Sequence, residues 1–133
     1  GASEVRSEFR VTFGGMNLDE LGGLLEAHGA KATVVHAAAT DVDRFRTAAR
    51  ENLADATNAL LVNYQRERLG QGNMGHISPV AAYDEQSDRL LVLDTATYKW
   101  PPVWVEVGTL FDAMSTVDPT NGKTRGYVEV GRP

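Results

Sequence analysis

The sequence predicts an α+β domain built on a mainly antiparallel sheet with about three helices. Helix-period and strand-period patterns alternate as αβαβ in the first half, and the second half is a meander of short strands with one more helix. A composition that is 42% hydrophobic and 23% charged over 133 residues is that of one folded globular unit, not of a disordered chain.

Residues 1–15 read as an amino-terminal arm in which Val5, Phe9 and Val11 stand among charges before Gly14-Gly15 breaks the chain; residues 16–133 read as the domain. Asn17 is placed to cap a first helix, with Glu20 as its capping-box partner, Leu18, Leu21, Leu24 and Leu25 at helical spacing, and Gly29 at the end. Gly22-Gly23 costs that helix about 1 kcal/mol per residue against alanine, so the pair predicts close packing against a neighbour. Lys31 to Ala37 alternates as a strand. Asp41 caps a second helix running to about Ala56, with Val42, Phe45, Ala49 and Leu53 on one face. Ala59 to Tyr64 is apolar on both faces and predicts a central strand.

Gln65 to Met74 is polar and glycine-bearing and reads as a loop, and Gly70 and Gly72 lack the Lys-Ser/Thr that would make it a phosphate cradle. Gly75–Tyr83 and Arg89–Asp94 read as two strands joined by a turn at Asp84–Asp88. Tyr98–Trp104 is a stiff aromatic connection in which Pro101 and Pro102 forbid central ladder pairing. Thr109, with Asp112 three residues on, begins a third helix. Asp118–Gly122 forms a turn, and Arg125 to Val130 alternates as a last strand.

Bulk charge narrows the partners. A net charge of -5 and a pI near 5.1 give no footprint for nucleic acid or for an anionic membrane. No apolar run is long enough to span a bilayer, and the cytoplasm is the default compartment. With no cysteine, disulfides and zinc-thiolate sites are excluded. His28 and His36 fall on different elements with no carboxylate at metal-ligand spacing, so no metal site is expected.

The predicted hairpin carries His76 near the start of one strand and Asp94 near the end of the next, the elements of an imidazole and its orienting carboxylate. In an antiparallel pair, partners have a constant sum of residue numbers and side chains alternate faces with period two. His76 and Asp94 are both even-numbered, so they share a face only if that sum is even. A three-residue loop with Glu85 opposite Ser87 gives 172 and makes Asp94 the diagonal neighbour of His76. An odd sum separates them unless a bulge intervenes, for which Ser78-Pro79 is the expected place. The shared face is the prediction. A strand histidine and a strand-ending aspartate are also ordinary structural residues, and spacing alone does not separate the two readings.

The wording of the stretch does more. Val62-Asn63-Tyr64, the glycine-bearing loop, Gly75-His76-Ile77-Ser78-Pro79, Ala81-Ala82-Tyr83, Leu91-Val92-Leu93-Asp94, Tyr98-Lys99, Pro101-Pro102-Val103-Trp104 and Ala113-Met114 together resemble the phytochelatin synthase family. The likeness extends upstream through Leu18–Leu25 and downstream through Asp118 and Arg125-Gly126-Tyr127-Val128, nearly the whole chain from about Met16. The resemblance implies a papain-like cysteine-peptidase fold, of which this would be the sheet-containing carboxy-terminal lobe. It implies a Cys-His-Asp triad, with His76 as general base and acid, Asp94 orienting it, and the cysteine lying before Gly1. The thiolate would attack the Cys-Gly amide of glutathione, release glycine and pass the γ-glutamylcysteinyl group to glutathione or to water. Gly75 and Ile77, flanking the histidine, would line the substrate; Asp118 and Arg125 would hold the γ-glutamyl ammonium and carboxylate.

The same resemblance brings in heavy-metal ions only as metal-thiolate forms of the substrate, in metal detoxification, with no cofactor bound by the chain itself. The expected partners are glutathione, the missing amino-terminal lobe, and a second copy in a homodimer. A fragment from proteolysis or cloning, inactive alone, is the expectation for a chain without the nucleophile. The alternative reading is a non-catalytic module that binds a γ-glutamyl ligand or a protein, with the apolar arm favouring association.

Overall fold

A computed structural model describes residues 16–65, 75–93 and 102–132. The amino-terminal arm, the loop after Gln65, Asp94 and the Tyr98–Pro101 segment lie outside them. The elements are α1 (Leu18–Ala27), β1 (Lys31–His36), α2 (Val42–Leu53), β2 (Ala59–Gln65), β3 (Gly75–Asp84), β4 (Arg89–Val92), β5 (Val103–Glu106), α3 (Val107–Met114), β6 (Val117–Asp118), β7 (Lys123–Thr124) and β8 (Gly126–Gly131). Six strands form one antiparallel sheet in the order β1-β8-β2-β3-β4-β5, while β6 and β7 pair separately. This is the expected α+β class, with β2 central as its two apolar faces require.

The period of two sorts the sheet into two cores. On one face Leu60, Val62, Tyr64, Val80, Leu90, Val92, Val105 and Tyr127 pack against Phe45 and Ala49 of α2 and Leu110, Ala113 and Met114 of α3. On the other, Leu61, Ile77 and Val128 pack against Leu18, Leu21 and Leu25 of α1. Both ends of α1 form as the sequence requires. Asn17 accepts from the Glu20 N–H while the Glu20 carboxylate accepts from the Asn17 N–H. At the other end His28 is the cap and Gly29 follows at φ 89°, with Ala30 N–H bonded to Leu25 O and Gly29 N–H to Glu26 O, a Schellman closure. Of the two helix glycines only Gly22 meets the sheet: a Cβ there would strike Val34, whereas Gly23 faces open space.

Three boundaries differ from expectation. The second helix stops at Leu53, because Asp55 turns back to accept from the N–H and hydroxyl of Thr57. The third starts at Val107, two residues before the supposed Thr109 cap; its first N–H is taken by the carbonyl of Asp88 at 3.0 Å, and Glu106 supplies no side-chain cap. Val103 and Trp104, read from the sequence as part of a connection, open the edge strand β5, and Pro102 stands before its ladder without interrupting it.

Asp88 also ties the β3–β4 turn to α2. It sits at φ 53°, its carboxylate accepts from Arg46 Nε and a second guanidinium nitrogen at 2.8 Å each, and the Tyr83 hydroxyl donates to it at 2.7 Å. The Arg46 guanidinium holds the Asp88 carboxyl below the usual carboxylate range, with burial opposing and Tyr83 assisting. A depressed folded pKa means stability present above the unfolded value of about 3.9 and lost as pH falls through the folded one. Asp88→Asn keeps a residue suited to positive φ and removes the charge. It is expected to lower stability by about 1 kcal/mol at neutral pH, the upper end for a partly screened pair, in urea titrations. The difference from wild type should close as the pH is brought down through the folded pKa of Asp88.

Candidate functional site

The β3–β4 hairpin reaches the expected register by an unexpected route. Its turn holds four residues, Glu85–Asp88, and the first pairs are Asp84↔Arg89, Tyr83↔Leu90 and Ala82↔Leu91, with an odd sum. Ala81 is then left over as a bulge, and the next pair, Val80↔Val92, sums to the even value on which the shared face depends. The Leu93 N–H continues that register by donating to Pro79 O at 2.9 Å. The bulge thus falls at Ala81 and not at Ser78-Pro79, and no three-residue loop is needed. It sits two residues after a proline in a central strand, where the missing N–H already interrupts the ladder. Asp94 itself lies outside the described residues, so its side of the hairpin is a matter of proposal.

His76 is described, and its surroundings are specific. It pairs across the ladder with Tyr64, and the two rings meet edge to face, centroids 6.0 Å apart at 73°. Ser78, on the same face of β3, is fully buried, and its Oγ lies 3.0 Å from the hydroxyl of Tyr64. Gly75 and Ile77 flank the histidine in the strand, with Ile77 turned to the opposite face, into the α1 core.

Arg125 enters the same face from the other side of β2. The β2–β8 ladder ends at Val62↔Tyr127 and Asn63↔Gly126, and one further step sets Tyr64 opposite Arg125. Continued that way, the register aligns His76 of β3, Tyr64 of β2 and Arg125, just before β8, toward the face that α2 and α3 cover. Arg125 is just outside β8, not its first residue. Its backbone is held on both sides, N–H to Thr116 O and C=O from the Ala37 N–H. Its guanidinium is 8% exposed and donates through one terminal nitrogen to Thr116 Oγ1 and Val117 O, both at 3.0 Å. Nε is buried and has no acceptor, and Arg125 makes no ion pair among the described residues. The next residue must be glycine: a Cβ on Gly126 would strike the Val35 carbonyl.

Asp118 follows the segment that Arg125 grips. It is 8% exposed, and its Oδ1 accepts from the N–H and hydroxyl of Thr120 at 2.9 and 2.8 Å. It is thus a turn cap and a buried carboxylate at once. Beside this hairpin, Asp19 bridges Lys123 Nζ at 2.9 Å and His36 Nε2 at 2.8 Å, and His36 Nδ1 meets Thr124 O at 2.6 Å. Lys123 first and then His36 hold the Asp19 carboxyl below its ordinary range. His36, which has no visible carboxylate partner in the sequence, is a structural link from β1 to α1 and β7. Its partner is 17 positions upstream, a separation no local pattern reveals. Among the described residues no three His, Asp or Glu side chains converge as a metal site would require.

Sequence reasoning missed Tyr64, Ser78 and Thr116. Tyr64 and Ser78 stand within the stretch that carries the family resemblance, but only the register shows that they meet. A hollow of about 270 Å³ opens at the far end of the sheet, by Glu129, Asn52 and Lys31, remote in the strands from this row.

The domain is thus α+β, with a strand histidine and a buried arginine toward one face of an antiparallel sheet. Comparison with known families places it further. The phytochelatin synthase family model matches residues 3–127, and the chain belongs to that family. It is 34% identical over 119 residues to glutathione gamma-glutamylcysteinyltransferase 1 of Lotus japonicus, covering 90% of this chain and 24% of that protein. Glutathione gamma-glutamylcysteinyltransferase 2 of Arabidopsis thaliana is 31% identical, over 90% of this chain and 26% of its own length. The Schizosaccharomyces pombe enzyme of that name is 29% identical over 86% of this chain and 28% of its own. The chain thus spans about a quarter of the length of these relatives. None of its described helices is long and apolar enough to cross a membrane.

Replacing Arg125 by lysine removes the paired donation to Thr116 and Val117, which a point-charge ammonium does not reproduce. Arg125→Lys is expected to cost about 1–3 kcal/mol, as for hydrogen bonds to a charged buried group. Guanidinium unfolding measures the loss, and faster amide exchange at Val117 and Lys123 locates it.

Proposed function

We propose that this chain is the histidine-bearing lobe of a papain-like glutathione γ-glutamylcysteinyltransferase. The single observation that supports this best is the alignment of His76, Tyr64 and the buried Arg125 toward one sheet face in a chain of this family; in the reading His76 is the base and Arg125 the anion-binding group. In the reading, a cysteine from polypeptide outside these 133 residues is the nucleophile, since the chain has none. His76 takes the thiol proton; the thiolate attacks the carbonyl carbon of the Cys-Gly amide, and the imidazolium returns the proton to the departing glycine nitrogen. The acyl group then passes to a second glutathione, or to water.

Asp94 would orient the imidazole. An even register, were it carried one pair past Leu93, would set it opposite Ser78, diagonal to His76 and on its face. The γ-glutamyl end would lie toward Arg125, whose buried Nε has among the described residues no acceptor, a place a substrate carboxylate could take. Asp118, with Oδ1 already engaged by Thr120, would turn Oδ2 to the ammonium. Gly75 and Ile77 would flank the scissile amide by backbone, since the Ile77 side chain is committed to the opposite core. Heavy-metal ions would enter only as thiolate complexes of the substrate. A second reading, a cysteine-free module that binds a γ-glutamyl ligand without turnover, draws on the same Arg125 and Asp118, because neither depends on the nucleophile.

The test is release of free glycine from glutathione by a protein that joins this lobe to a cysteine-bearing amino-terminal segment. Turnover is expected, with His76→Ala lowering kcat by about 10³-fold or more, as for loss of a triad base. Binding of glutathione without glycine release would favour the module, and His76→Ala with unchanged turnover would exclude His76 as the base.

A further inference from the structure

We infer that Tyr64 and Ser78 are a positioning pair for the imidazole of His76, acting through their mutual hydrogen bond. The inference rests on the reading of His76 as the base, and it concerns how that base is aimed.

The geometry is a closed loop. From His76 the chain runs two residues along β3 to Ser78; Ser78 Oγ meets the Tyr64 hydroxyl at 3.0 Å; the Tyr64 ring leads back across the ladder to His76, its cross-strand partner, edge to face at 6.0 Å. The phenol is therefore held at both ends, at Cα by the β2–β3 ladder and at the hydroxyl by Ser78. A ring tethered in that way has less room to slide or tilt, and its edge-to-face contact passes that restraint to the imidazole beside it.

The chemistry of the core gives a second reason. Ser78 is fully buried and Tyr64 is 1% exposed, and their same-face neighbours Val62 and Val80 are apolar. A phenylalanine and an alanine would fill such a place with no hydroxyl to satisfy. Two buried hydroxyls that bond each other add little net stability over an apolar pair, because each first gives up its water. Their evident product is direction, since the bond length sets where the ring stands. A base that must meet a thiol and then a leaving amine needs its ring held to within about 0.5 Å and 10–20°, by groups that are themselves locked.

Tyr64 and Ser78 act here through His76 and touch no reacting atom, so a readout of the imidazole itself is needed. The experiment is ¹⁵N NMR of His76 in the 133-residue chain, for wild type, Tyr64→Phe, Ser78→Ala, Ser78→Thr and the Tyr64→Phe/Ser78→Ala double variant, with thermal melts alongside. Both single deletions should change the His76 tautomer ratio by about twofold or more, the low end of coupling between contacting residues. The double variant should match the singles, and Ser78→Thr, which keeps the hydroxyl, should restore the wild-type spectrum. If Tyr64→Phe does not fold, Ser78→Ala removes the same bond from its other end and decides alone. A His76 spectrum unchanged in folded variants, whatever their melting points, overturns the inference and leaves the pair as packing. The base reading fails separately, by glycine release that survives loss of His76.

Discussion

One extra residue, Ala81, sets the geometry on which the site depends. The β3–β4 turn closes with an odd register, and a perfect ladder from it would send the even residues of the two strands to opposite faces. The bulge changes the parity. Beyond it Val80 faces Val92, so His76, Ser78 and Val80 lie on the face that Tyr83 and Leu90 occupy nearer the turn. The same face carries α2 and α3, and the histidine is thereby placed at the margin of the larger core. A proline two residues before the bulge is consistent with this, since a central strand tolerates a missing donor where its ladder is already irregular.

Around that row the protein buries more polarity than its fold requires. Tyr64, Ser78, Asp118 and Arg125 are all nearly inaccessible, toward the ends of β2 and β8 that meet there. Some are satisfied locally: Tyr64 with Ser78, Asp118 with Thr120. Arg125 is not, for among the described residues its Nε is buried with no acceptor. An unmet buried donor costs about 1–3 kcal/mol, so the Arg125 Nε is held there at a cost to stability. The α1 side of the sheet contrasts with it, since its contacts are leucine, isoleucine and valine almost throughout.

Much of this was legible in the chain, for reasons that differ by element. The first helix carried every local signal at once, from Asn17 and Glu20 to Gly29, and local signals suffice for helix ends. Strand β2 was readable as central because a two-faced apolar run has few other uses. Val103 and Trp104 were not readable as a strand, since their partner is supplied by β4 and the preceding prolines suggest the opposite. The start of α3 was misplaced because its first N–H is capped by the carbonyl of Asp88, 19 residues away, and carbonyls leave no mark on the sequence. The residues of the site followed the same division. His76, Asp118 and Arg125 were picked out by resemblance, whereas the company His76 and Arg125 keep with Tyr64, Ser78 and Thr116 is a product of register, which sequence fixes only through turns and bulges.

The strand order has a consequence for how the protein is made. β8, the last of the described strands, lies between β1 and β2, so among the described residues β1 has no sheet neighbour until residue 131 has been synthesised. During translation the first strand and its helix must wait as an unfinished edge, exposed to the wrong partners, while the β2–β3–β4 hairpins close locally. Long-range insertion of this kind slows folding. Arg125 enters with that final strand. The row across the sheet is therefore incomplete until that segment has been made, well after Tyr64 and His76.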